Sequence, residues 1–139
     1  PGKMPELENI YYEELEKNGF SRDQGFVYNP PEDFSMLFID QDPESAWEEL
    51  GGYFLNEAVE YRSWKQEGLF RPLELSSDSV EALRAENFYE IITPDECIRR
   101  HKNNPEFGAG LHPLCGGIPL DRAWDCVNLY VDKVIPAIS

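Results

Sequence analysis

The chain has 139 residues, 41% of them apolar and 13% aromatic, a composition that suits one domain with its own core and not a disordered segment. Its 27 acidic residues outnumber the 12 basic ones, giving a net charge of -15. The basic residues are scattered, whereas a nucleic-acid or anionic-membrane surface needs Lys and Arg in clusters, so neither partner is expected and the charge reads as a solvated acidic surface.

No stretch approaches the roughly 18 consecutive apolar residues of a membrane span, and no basic segment followed by an apolar one opens the chain. Cys97, Cys115 and Cys126 are odd in number and lack framework spacing, which points to a reducing, cytoplasmic compartment. Pro1-Gly2-Lys3 reads as the middle of something longer or as a processed or cloned end, and the chain is expected to be a fragment.

Leu7, Ile10, Tyr11 and Leu15 fall near a helical period over residues 5–17, and Asn18-Gly19 supplies a left-handed stop. Phe34 to Ile39 is an apolar run of strand length. Asp42 can cap the helix that follows, and Pro43 suits its first position, where no N–H is needed. Trp47, Leu50, Phe54, Ala58, Tyr61 and Trp64 then recur every three or four residues, predicting a long helix to Gly68 buried along this stripe. Residues 69–87 are irregular, an excursion with a short helix capped near Ser77 or Asp78. Phe88 to Ile92 is strand-like again, and Thr93-Pro94-Asp95-Glu96 is a capping box opening a helix that ends at Asn103-Asn104-Pro105. Gly108 to Leu114 is a third strand, turned by Gly116-Gly117. Pro119 opens a last helix with Ala123, Trp124, Val127, Tyr130, Val131 and Val134 on one side, ended by Pro136.

A strand, a turn and a helix with Pro at its first position thus recur three times, at Pro43, Pro94 and Pro119. That alternation predicts an α/β fold in which residues 1–139 form a single domain with about three parallel strands. Right-handed crossovers would lay the helices on one face, as in a barrel, and three strands cannot close one. A partial barrel would leave edges and a face open.

The stretch Leu111-His112-Pro113-Leu114-Cys115-Gly116-Gly117-Ile118-Pro119, followed by Ala123-Trp124 and Val134-Ile135-Pro136-Ala137-Ile138, resembles the end of the luciferase-like, flavin-dependent monooxygenases. Phe38-Ile39-Asp40-Gln41-Asp42-Pro43-Glu44-Ser45-Ala46-Trp47, Tyr61-Arg62-Ser63-Trp64 and Thr93-Pro94-Asp95-Glu96 fit the same family in the same order. The resemblance spans most of residues 5–138 and implies the C-terminal part of a (β/α)8 TIM barrel that binds reduced FMN or F420. The family builds its flavin pocket largely from strands that precede these, so the isolated chain is expected to bind no flavin and to be inactive. The alternative is a non-catalytic half-barrel, an interaction or oligomerisation module that pairs as a homo-oligomer or with the remainder of the barrel.

His112, Gly116 and Gly117 are the candidate cofactor-binding residues. The two glycines precede a helix N-terminus and could offer N–H groups to a phosphate, or form a tight turn at positive φ. His112, near the end of the last strand, could bond a flavin or substrate or shuttle a proton, or pack beside Pro113. Catalytic residues are not identifiable. Cys97/His101 and His112/Cys115 look like zinc pairs, yet residues three apart on a strand point to opposite faces, so no metal is expected. Cys115 lacks an oriented base and reads as a small buried side chain, and Asp40 and Asp42 read as turn and cap residues.

Overall fold

The computed structural model describes residues 5–27, 34–64, 76–104, 107 and 109–139. The opening Pro1-Gly2-Lys3, the expected helix tail to Gly68, Leu69 to Leu75, Pro105 and Gly108 lie outside the described residues. Chain contacts define two compact units, residues 1–33 with 70–73, and residues 34–69 with 74–139.

The first unit holds α1 (Pro5–Lys17) and a 3-10 turn at Arg22–Gln24. Gly19 adopts φ +85, the left-handed stop that Asn18-Gly19 predicts. Arg22 folds back on the helix, pairing with Glu16 at 2.8 Å and lying over the Tyr12 ring.

The second unit is built on β1 (Met36–Ile39), β2 (Tyr89–Ile92) and β3 (Gly110–Leu111). All pairing is parallel, in the order β2-β1-β3. Helix α2 (Pro43–Ser63) is followed by α3 (Val80–Ala85), the short helix expected in the excursion, and α4 (Pro94–Asn103) joins β2 to β3. After β3 come a 3-10 turn at Cys115–Gly117, α5 (Leu120–Leu129), a π-helical turn over Tyr130–Val134, and α6 (Ile135–Ile138).

The α/β class, the three parallel strands and the flanking helices are as expected; the order is not that of consecutive barrel strands, which would place β2 in the middle. The chain steps from β1 to β2 on one side, then back past β1 to β3. Two right-handed crossovers in opposite directions must put their helices on opposite faces. Side chains alternate along a strand, so Phe38, Tyr89 and Ile91 share one face and Leu37, Ile39, Glu90 and Ile92 the other. On the first face Phe54 of α2 meets the Phe38 ring at 6.4 Å and the Tyr89 ring at 5.5 Å. On the second, Glu90 pairs with Arg100 of α4 at 2.7 Å, and α5 lies against β1. Helices therefore cover both faces, and the consecutive β1 residues Leu37, Phe38 and Ile39 are all buried.

The caps follow the sequence with small shifts. Asp42 accepts from the Ser45 N–H at 3.2 Å, and Thr93 from that of Glu96 at 3.2 Å. Glu96 does not complete the capping box, because its carboxylate pairs with Arg99 and Arg100. The α3 cap is Ser79, one or two residues beyond the expected Asp78 or Ser77. Pro136 does not end the last helix. Proline lacks an N–H and crowds the preceding turn, and here the helix widens to π geometry ahead of it and continues to Ile138.

Candidate functional site

The site is built around Glu57, a carboxylate on the buried side of α2. Leu50, Phe54, Glu57 and Tyr61 follow helical spacing, and the first two are fully buried. Glu57 sits one turn beyond Phe54, where β3 gives way to the Cys115–Gly117 turn. Its Oε1 accepts the Tyr89 hydroxyl at 3.1 Å and the His112 Nε2 at 2.8 Å, and its Oε2 accepts the Gly116 N–H at 2.9 Å. The Cys115 sulfur lies within 4.8 Å of the same carboxylate. An ionised carboxylate only accepts, so Nε2 of His112 carries the proton.

Burial works against the charge on Glu57, but the interactions with Gly116, His112 and Cys115 more than offset it and hold the carboxyl below its ordinary range. Burial and the Glu57 charge together push the Cys115 thiol far above the ordinary thiol range, and do the same to the Tyr89 phenol. Cys115 is therefore a protonated thiol and not a nucleophile.

Of the three residues singled out from sequence, the structure brings His112 and Gly116 together on Glu57. Gly117 stands apart, its N–H donating to the Leu114 carbonyl at 3.2 Å. Both glycines hold positive φ, +55 and +89, so the turn geometry is the expected one. At Gly116 a Cβ would lie 2.0 Å from the Tyr53 carbonyl oxygen, and only glycine lets the turn press this closely on α2. The amide offered to a phosphate is taken by Glu57, an anion of the chain's own.

Two further polar clusters stabilise the frame. Arg122 of α5 pairs with Asp40 at 2.8 Å, Glu49 at 3.1 Å and Asp125 at 3.2 Å beside an open cleft also lined by Asp132 and Lys133. Asp40 accepts the Asp42 N–H at 2.9 Å, so these two carboxylates serve the turn and the cap, as expected. Arg100 joins Glu90 and Glu96. Glu96 is held by Arg99 as well, and the two guanidinium groups lower its carboxyl to about 2.

The remaining cysteines are packing residues. All three are free and buried. Burial raises the thiols of Cys97 and Cys126 to about 11. The Cys126 sulfur accepts the Ile39 N–H at 3.1 Å, an amide left without a strand partner because β3 ends at Leu111. His101 stacks edge-on against Phe107, and burial lowers its pKa. Neither Cys97 nor His101 joins a cluster of three ligating side chains among the described residues.

Sequence reasoning missed Glu57 and Tyr89. The signal for Glu57 was a lone carboxylate on the apolar stripe of α2; the partner 55 residues away was not legible. No family model matches the chain, and no curated protein or solved structure matches it significantly. Among the described residues no helix is long and apolar enough to cross a membrane.

Proposed function

We propose that the chain is the C-terminal segment of a luciferase-like, flavin-dependent monooxygenase or oxidoreductase, and that it supplies framework and not flavin contacts. The family part of this reading rests on the ordered motifs from Phe38 to Ile138. The framework part rests on one observation: His112 and Gly116, the residues best placed to meet a cofactor, are bonded to Glu57. In a complete TIM barrel the three strands would lie in chain order, with further strands covering their inner face and FMN or F420 bound elsewhere. Alone, the segment covers that face by moving β1, its most apolar strand, to the centre. Three buried free thiols suit a reducing cytoplasm.

A pocket normally buries most of its ligand, and this segment offers a turn already filled. Titration of the purified chain with FMN, and separately with F420, followed by fluorescence quenching, should show no saturable binding below about millimolar. Stoichiometric micromolar binding of either would overturn the framework reading.

A second reading, a stand-alone interaction or oligomerisation module, is favoured by the strand order. Helices on both faces make a sheet that does not need the rest of a barrel to bury its core. Among the described residues β2 and β3 have no further strand partner on their outer edges, and Leu120, Trp124, Val131 and Ile135 along the last helices are among the exposed large apolar side chains.

A further inference from the structure

We propose that Glu57, His112 and Cys115 form a binding site for a divalent transition-metal ion of the zinc type. One carboxylate oxygen, one imidazole nitrogen and one sulfur lie within 4.8 Å of one another, the only group of three such ligands among the described residues. Oxygen, nitrogen and sulfur donors around one point are the set that zinc and its neighbours accept and that calcium and magnesium do not. The strand alternation that argues against a His112/Cys115 pair does not apply, because β3 ends at Leu111 and the turn brings both side chains to one side of α2.

The donors are oriented by other groups. The Gly116 N–H fixes Oε2 of Glu57 and the Tyr89 hydroxyl fixes Oε1, the supporting bonds that metal-binding carboxylates require. The site is reached along the His112 ring, whose side chain keeps 34% of its exposure, whereas Cys115 is wholly buried. Three protein donors leave the fourth position of a tetrahedral ion to solvent. On binding, a metal–sulfur bond forms as the Cys115 thiol loses its proton to solvent. The imidazole proton moves from Nε2 to Nδ1, freeing the Nε2 lone pair for the metal. Glu57 exchanges its bond from His112 for the metal and keeps those from Gly116 and Tyr89.

The test uses the full chain with cobalt(II) and then zinc. Cobalt should saturate at one equivalent with a thiolate-to-metal charge-transfer band in the near ultraviolet, and zinc should abolish the band. Cys115→Ser should remove it, and His112→Ala should weaken binding by at least about tenfold. The same three residues clamp a turn, so variants that lose the native circular dichroism are set aside for X-ray absorption on the wild-type zinc complex. That spectrum should contain one sulfur at about 2.3 Å and nitrogen or oxygen at about 2.0–2.1 Å. No charge-transfer band at millimolar cobalt, a band that survives in folded Cys115→Ser, or a zinc shell without sulfur would each overturn the proposal.

Discussion

Glu57 is a half-buried carboxylate that accepts bonds from Tyr89 of β2, from His112 just after β3 and from the Gly116 amide, and its charge is what the Gly116 turn is fastened to. Its carboxyl is held below the ordinary 4.5, as are those of Glu90 and Glu96, the last at about 2. A carboxyl whose pKa is lower in the folded chain contributes stability above its unfolded pKa, and that stability is lost as pH falls through the folded value. The chain should therefore hold its stability down to about pH 4.5 and lose it progressively toward about pH 2. Glu57→Gln removes the charge and one acceptor, should cost about 1–3 kcal/mol at neutral pH, and should flatten the acid loss. Denaturant midpoints for both proteins across this pH range check the prediction; parallel profiles would show that Glu57 carries none of the dependence. That His112 and Gly116 lie close together was legible because strand, histidine and glycine pair sit together in the chain. Their partner was not, because nothing local marks which of many carboxylates a remote turn will meet.

At the scale of elements, type and order were legible and extent was not. Capping residues and proline at the first helical position mark where α2 and α4 begin, whereas Pro119, expected at that position of the last helix, is the residue just before α5. The stripe of α2 reads as one buried face, yet Trp47, Leu50, Phe54 and Ala58 are buried while Tyr61 and Trp64 are exposed. Length explains the break. A helix of 21 residues runs to about 31 Å. The four-residue strands it packs on span about 13 Å. The C-terminal half of the stripe passes the end of the sheet. In the last helix Ala123 and Val134 are buried as expected and Cys126 joins them, while Trp124 and Val131, expected on the same face, are exposed. Cysteine at position 126 was not counted as an apolar marker, although it fills the core like one. These assignments separate two tryptophans on one helix. Trp47→Ala should cost roughly 3–5 kcal/mol, and Trp64→Ala no more than about 0.5 kcal/mol. Urea midpoints decide it, and equal losses at both positions would contradict the packing described.

At the scale of the molecule, the fold class follows from alternation and the strand order does not. The same βα units give a barrel when strands are added in one direction and a sheet covered on both faces when the chain doubles back, and only long-range pairing chooses. The choice made here buries both faces of β1, leaves the outer edges of β2 and β3 without a strand partner among the described residues, and leaves Leu120, Trp124, Val131 and Ile135 exposed. Open edges and apolar rows of this kind are what partners cover. A net charge of -15 opposes self-association, but physiological salt screens it beyond about 8 Å. A standard interface removes on the order of 1,600 Å² from water, so burial outweighs the screened repulsion. Both proposed readings, barrel segment and module, predict that this surface is covered by a partner. Sedimentation equilibrium of the isolated chain at micromolar concentration and moderate salt measures this most directly. The expected result is a dimer or larger species that dissociates when Trp124 is changed to Glu, and a clean monomer mass with no binding of an apolar-surface dye would contradict it.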